Sequence, residues 1–363
     1  MRIKNRDLPI FFLLLFCITY VLTNPVGTAY RVQSGIKMCI HSVVPSLFIF
    51  MVFSRILAQL TSRQNSYSKI TLFFSKVLLL PPSLIPICIS GLFCSAPSGA
   101  FGICSLYEKG LCTKEEAERA AVFANNCSSA FILGFISSFI GCKTAAVYIA
   151  VSNILTTISV YMIFLRDKNT YISRQNTSHI KKISLSEIIS DSISSSASST
   201  VTLCGYVVFF YVLSSTIIDN LTPVINNYAH SDAIKAITAS FFEIGSGTIL
   251  VKNLSSPEAY ILCSASVAFT GISMILQVTC LLNKCGISSA KYFISKVLCA
   301  IISPIYMIII MLLSPYAVTV SAESNVINPQ GVTLGDVFSL CTITAISLFG
   351  AHLLRYLDKK HKK

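Results

Sequence analysis

The chain is predicted to be an all-α polytopic membrane protein, with about eight transmembrane helices and two re-entrant hairpins arranged as an inverted repeat. Three observations lead there. The 363 residues are 53% hydrophobic and only 12% charged, with a mean hydropathy of +0.71, whereas a soluble domain carries roughly 25% charged residues. The basic residues flank apolar runs instead of spreading over a surface. Two apolar segments are broken by Gly, Pro and polar residues at matched positions in the two halves.

The net charge of +13 does not mark a nucleic-acid binder. Its basic residues sit at Arg2, Lys4 and Arg6, in residues 166–182 and in 355–363, where topology determinants belong. The 14 cysteines include no CxxC pair. Cys17, Cys88, Cys104, Cys263 and Cys299 lie inside apolar segments and read as small buried hydrophobes. Neither a disulfide framework nor a zinc site is visible, no nucleotide-binding loop occurs, and no cofactor is expected.

Residues 8–22 form an apolar run behind three basic residues. A signal peptide fits, with Gly27 and Ala29 near a cleavage point, but a retained span closes the topology better. Residues 38–60 are the second span, kinked at Pro45, and Arg63, Lys69 and Lys76 put its end in the cytoplasm. Residues 81–102 are apolar yet punctuated by Pro81, Pro82, Pro86, Gly91, Pro97, Gly99 and Gly102, which suits a re-entrant hairpin. Residues 113–141 begin wet, as KEEAER, and turn apolar around Asn125, Asn126, Ser128 and Ser129. Residues 144–165 are a plain span.

The segment 166–182 is basic and cytoplasmic, and 184–200 keeps Leu185, Ile188, Ile189 and Ile193 at helical spacing, an amphipathic lead-in to the span 201–218. A second broken segment, 234–252, contains Glu243, Gly245, Ser246 and Gly247. The span 258–282 is interrupted at Thr270, Gly271, Ser273 and Gln277. Lys284, Lys291 and Lys296 read as the cytoplasmic flank of a span at 292–313. The loop 314–331 lacks Lys and Arg and is external, and 334–357 returns to a basic cytoplasmic tail. The domains are therefore 1–37 (first span and external loop), 38–165 (first repeat), 166–199 (cytoplasmic linker and amphipathic helix), 200–313 (second repeat) and 314–363 (loop, last span and tail).

Each interrupted span opens on a capping-box pattern, Thr113 with Glu116 and Ser255 with Glu258. The polar break, at Ser128 and Thr270, follows at the same offset in both. The flanking charges give the two halves opposite directions. Paired broken segments in inverted halves point to a transporter's midplane site, because exposed backbone cannot face lipid and must line a cavity or be buried.

The run GLFCSAPSGAFG at 91–102, the stretch LYEKGLCTKEEAERAAVFANNCSSAFILGFI after it, FFEIGSG at 241–247 and FTGISMILQV at 269–278 resemble the nucleoside-recognition or Gate domain. Within that group the chain is most similar to the YlbJ-like sporulation integral membrane proteins. The resemblance runs from about Gly35 to Ala300. It departs at Ser95-Ala96, where Gly-Tyr is usual before the proline, and at Ser129, often proline. It implies a multi-pass cell-membrane protein, with the outer forespore membrane as a candidate location, that carries dipicolinic acid during sporulation.

The expected substrate-binding residues are Ser95, Pro97, Ser98, Gly99, Asn125, Asn126, Ser128, Ser129, Glu243, Ser246, Gly247, Thr270, Gly271, Ser273 and Gln277. Glu243 stands out, since a carboxylate in an apolar hairpin is costly and usually functional; it suits proton or cation coupling. The expected cavity shows no buried Lys or Arg, so helix N-termini, hydroxyls and amides would neutralise an anion. The expected partners are a small anionic solute and the bilayer; homo-oligomerisation stays open. An intramembrane hydrolase built on Ser98 and His41 lacks a GxSG elbow and an orienting acid, so no enzymatic activity is expected. A non-transporting organiser of spore assembly and a nucleoside-type permease are the alternative readings.

Overall fold

The computed structural model describes residues 8–61, 67–93, 96–165, 184–228 and 230–313. All of the regular elements among them are helices. Four are long and apolar enough to cross a membrane: Lys143–Phe164, Leu185–Ile225, the broken Ser256–Lys284 and Ala290–Leu313. The expected span at 334–357, the loop 314–331, the tail, the basic segment 166–182 and residues 1–7 lie outside the described residues.

Helix α1, Leu8–Thr23, ends at Asn24, and α2, Pro25–Met38, starts on a proline in its first turn. The expected external loop before residue 38 is therefore helix. Pro25 has no N–H to lose there and its fixed φ suits the first turn. A π-helical turn, Cys39–Val43, joins α2 to α3, Val44–Thr61. This is the expected kink at Pro45: the proline's missing N–H and ring break the regular ladder, and the wider turn takes up the misfit. Arg31 of α2 pairs with Asp219. The short α4, Lys69–Leu78, is capped by the Ser68 side chain accepting from Thr71 N. It exposes Ile70 and Phe73 between Lys69 and Lys76, as an interfacial helix does.

Next come α5, Ile85–Phe93, and α6, Ser98–Glu108. They form the first hairpin, whose second leg runs beyond the expected end at 102. The interrupted span follows as α7, Lys114–Ala124, a buried non-helical stretch at 125–128, a π turn at Phe131–Ile136 and α8, Ser137–Ile140. The reciprocal Thr113–Glu116 capping box is formed. Helix α9, Lys143–Phe164, completes the half.

Helix α10 runs unbroken over Leu185–Ile225, 41 residues, or roughly 60 Å, about twice an apolar bilayer core. The lead-in and the span of the sequence reading are one rod, opened by a capping box between Ser184 and Glu187. Ile188, Ser192, Ser196 and Thr200 are buried at four-residue spacing, a row of mostly small residues that lets α3 pack closely. Arg55 of α3 donates to Ser199 at 2.7 Å and Gln59 to Asp191 at 3.0 Å.

The second hairpin is α11, Ser231–Phe242, and α12, Ile244–Val251, broken at Glu243. The second interrupted span is α13, Ser256–Phe269, and α14, Gly271–Lys284, broken at Thr270. Helix α15, Ala290–Leu313, follows a turn in which Gly286 takes a φ of +77°. Hairpin, broken helix and long helix thus recur in the same order after α3 and after α10. Helix α15 packs on both α13 and α9, so the long helices of the two halves meet. Around this interior, Phe12, Phe73, Ile301 and Leu312 are among many large apolar side chains left exposed, as a lipid-facing surface requires.

The second capping box is not formed. Ser255 occupies the N-cap position of α13 without a side-chain cap bond, and a proline sits in the first turn. Pro257 already fixes the backbone there and Ser255 is exposed, so its hydroxyl can turn to water. Thr113→Ala should therefore lower stability by about 1 kcal/mol in denaturant unfolding of the purified protein, whereas Ser255→Ala should change it by no more than a few tenths.

Candidate functional site

Each helix break leaves backbone groups that must find partners. In the first half the partners are two asparagines. Asn125 Oδ1 accepts from Ala100 N at 2.8 Å, in the first turn of α6, and its Nδ2 donates to Ala121 O at 2.9 Å. Asn126 Nδ2 donates to Phe123 O at 2.8 Å and to Gly91 O at 3.3 Å. Its Oδ1 accepts from Thr157 Oγ1 at 2.9 Å and from Lys296 Nζ at 3.3 Å. Its own backbone carbonyl accepts from Ala96 N at 2.8 Å. One side chain thus ties α5, α7, α9 and α15 together. Ser128 Oγ accepts from Phe131 N at 3.0 Å and starts the helix beyond the break.

In the second half the partner is Glu243. Its Oε1 accepts from Gly245 N at 2.9 Å and its Oε2 from Ser246 N at 2.6 Å, so the carboxylate is the N-cap of α12. Ser246 Oγ donates to Glu243 O at 2.8 Å. Glu243 is 4% exposed, so its carboxylate is enclosed by protein. Thr270 takes a left-handed φ of 71°, followed by Gly271 at +79°. A Cβ on Gly271 would stand 3.3 Å from Ser240 O, Phe242 O and Ile244 N. The break between α13 and α14 therefore rests on the break between α11 and α12.

The first half has the same relation. A Cβ on Gly91 or Gly99 would fall 2.2 or 1.9 Å from Ala124 O, so the first hairpin rests its glycines on the end of α7. Gly247 is as tight, with 1.8 Å to Ser240 Oγ and 2.7 Å to Ser240 Cα.

Three of the four breaks, the one after α7, the one at Glu243 and the one at Thr270, line one small cavity. Asn126 and Cys127 line it from the first half, and Glu243, Ile244, Thr270 and Met274 from the second. Val43, Leu47, Phe131, Leu203 and Val207 supply an apolar wall. Its volume is about 40 Å³, space for a few waters at roughly 10–15 Å³ each and too little for an aromatic dicarboxylate.

Of the expected site residues, Asn126, Glu243 and Thr270 line this cavity. Asn125, Ser128, Ser246, Gly99, Gly247 and Gly271 build the breaks behind it, with Pro97 and the buried Ser98 at the start of α6. Ser129 is half-buried. Ser273 and Gln277 are buried one turn apart on α14, and Gln277 Nε2 has no hydrogen-bond partner among the described residues. Ser95 lies outside the described residues. Ser98 is buried while His41 is exposed.

Two expectations need correction. Lys296 is not an exposed flanking charge: it is 1% exposed, on Asn126, so a buried cation does stand beside the cavity. Ala100 N in the first turn of α6, and Gly245 N and Ser246 N in that of α12, are not open to a ligand either, because Asn125 and Glu243 already accept from them. Sequence reasoning also missed Thr157, Cys127 and the apolar wall. Lys296 carried a signal, being the seventh residue of the apolar helix Ala290–Leu313, but its neighbours Lys284 and Lys291 made it resemble a flank.

The glycine contacts give a graded test. Gly99→Ala and Gly247→Ala should each destabilise the purified protein by about 1–3 kcal/mol, since a backbone neighbour cannot yield. Gly134→Ala, at a helical position with nothing within 4 Å, should be neutral or stabilising by up to about 1 kcal/mol. Thermal unfolding in detergent reads all three.

No family model matches the chain and no solved structure matches it. The chain is, however, similar to the sporulation integral membrane protein YlbJ of Bacillus subtilis (strain 168), 22% identical over 328 residues that cover 82% of this chain and 80% of the relative. That likeness is spread over nearly the whole length, and together with the apolar all-helical fold it describes an integral membrane protein similar to YlbJ.

Proposed function

We propose that the chain is a secondary transporter of a small anionic heterocycle, dipicolinate during sporulation, working by alternating access at a site between two broken-helix hairpins. The carrying observation is the cavity itself. It is small, stands between breaks of both halves, and is lined by an amide, a carboxylate and a hydroxyl set in an apolar wall. Broken helices around a cavity are how transporters place polar groups at mid-membrane.

In this reading the two hairpins, α5–α6 and α11–α12, are re-entrant, the chain crosses about eight times, and the halves are inverted. Rocking one half against the other would enlarge the cavity toward one side and then the other. The similarity to a sporulation integral membrane protein supports the setting, a cell membrane such as the outer forespore membrane. No catalytic role is assigned to any residue.

Glu243 is given the coupling role. A carboxylate on the cavity wall repels a dianion, so loading the solute favours a protonated or cation-bound Glu243. Glu243→Gln keeps a side-chain oxygen for one of the two α12 N–H groups and removes the charge. The test is uptake of labelled dipicolinate into proteoliposomes under imposed proton or sodium gradients. Wild type should respond to one gradient, and Glu243→Gln should bind dipicolinate but lose that response. Identical responses of the two forms would remove the coupling role, and no uptake by either would remove dipicolinate as substrate.

A further inference from the structure

Lys296 is a fully buried cation with no ion-pair partner among the described residues. It projects from α15 into the interior, 1% exposed. Its ammonium has three donors, and the hydrogen bond found for it is a 3.3 Å contact with a neutral amide oxygen, Asn126 Oδ1. The Tyr292 ring lies 5.8 Å away. Among the described residues no carboxylate lies within 4 Å of it; the ion pairs there belong to Arg31, Lys235 and Lys291. An unpaired buried ammonium costs several kcal/mol, and a cation in a membrane-spanning helix commonly marks a solute or ion path. Its partner Asn126 lines the cavity, and Asn126 Oδ1 also holds Thr157 Oγ1. If the amide gives up its lysine bond, it keeps its threonine bond, and the ammonium then faces the cavity.

We propose that Lys296 is the anion-binding residue of the transport site, and that a carboxylate of the solute replaces Asn126 Oδ1 on its ammonium when the cavity opens. The proposal rests on the transport reading and specifies it: the ligand class is an organic carboxylate, and the positive charge comes from a side chain, since Ala100 N, Gly245 N and Ser246 N at the starts of α6 and α12 already have acceptors. It also gives the site a polarity. Lys296 stands behind the Asn126 wall and Glu243 on the wall formed by the second half, so an anion is drawn to one side and repelled from the other.

The experiment measures binding of dipicolinate and of its neutral diamide, pyridine-2,6-dicarboxamide, to the purified full-length protein by equilibrium dialysis. The forms compared are wild type, Lys296→Met and Lys296→Gln, each checked for cooperative unfolding without ligand. Wild type should bind the dianion at least tenfold tighter than the diamide. Either folded variant should weaken dipicolinate binding roughly 10- to 100-fold, the range of a lost charge-assisted hydrogen bond, and erase the preference over the diamide. A purely structural lysine would leave that preference intact. Wild-type-like binding of dipicolinate by a folded variant overturns the inference and leaves the transport reading standing. Equal wild-type affinity for dianion and diamide overturns it without any variant. No wild-type binding of dipicolinate overturns it together with dipicolinate as the transported solute.

Discussion

A helix that stops inside an apolar interior leaves carbonyls behind it and N–H groups ahead of it, and each costs free energy if no partner replaces water. The fold is organised around meeting that demand. Asn126 does most of it in the first half, through hydrogen bonds to Phe123, Gly91, Thr157 and Lys296. Because those partners lie on α7, α5, α9 and α15, the repair of one break also sets how four helices stand relative to each other. Glu243 plays the corresponding part in the second half, its carboxylate taking the first N–H groups of α12. The close glycines follow from the same need, since a side chain at Gly99 would push α6 off the end of α7 and pull Ala100 N from Asn125.

A site built this way has charge on both sides and little space between. Glu243 is held by dipoles and Lys296 by a single amide, so they answer differently to an incoming anion. The carboxylate is already solvated by protein N–H groups, whereas the ammonium exchanges a weak neutral acceptor for a charged one. In a cavity of about 40 Å³ neither change happens without movement of the walls. Packed interiors move between discrete arrangements instead of swelling continuously, which is what the proposed alternating access would require. The continuous rod of α10, clamped to α3 through Arg55, Ser199, Gln59 and Asp191, is suited to move as one body.

The breaks were legible in the sequence because they use residues that helices avoid. Asn125, Asn126 and Ser128 marked the first, and the glycines near 245–247 placed the second hairpin's break within a few residues of its position at Glu243. Thr113 and Glu116 announced the start of α7 through a spacing that has one physical use. Other features were invisible because their local signal is ambiguous. Ser255 and Glu258 have the same spacing, yet Pro257 leaves the hydroxyl unused. Residues 25–38 are too polar to read as a span, and that polarity hid a helix. Lys296 shows the deeper limit: its sequence neighbours Lys284 and Lys291 are charged and read as a flank, whereas its spatial neighbours come from the break after α7 and the start of α15, which only the fold brings together. The apolar wall of Val43, Leu47, Leu203 and Val207 could not be told from any other lipid-span residues.

The central claim is that this small cavity is the path of the solute, and Cys127 tests it in place. It lines the cavity beside Asn126 and is 9% exposed. With the remaining cysteines replaced, the account predicts slow labelling of Cys127 in proteoliposomes by a small water-soluble thiol reagent as the cavity opens. It also predicts that dipicolinate slows that labelling in a saturable manner. Labelling indifferent to dipicolinate, or a Cys127 that stays unreactive in protein that transports dipicolinate, would contradict it.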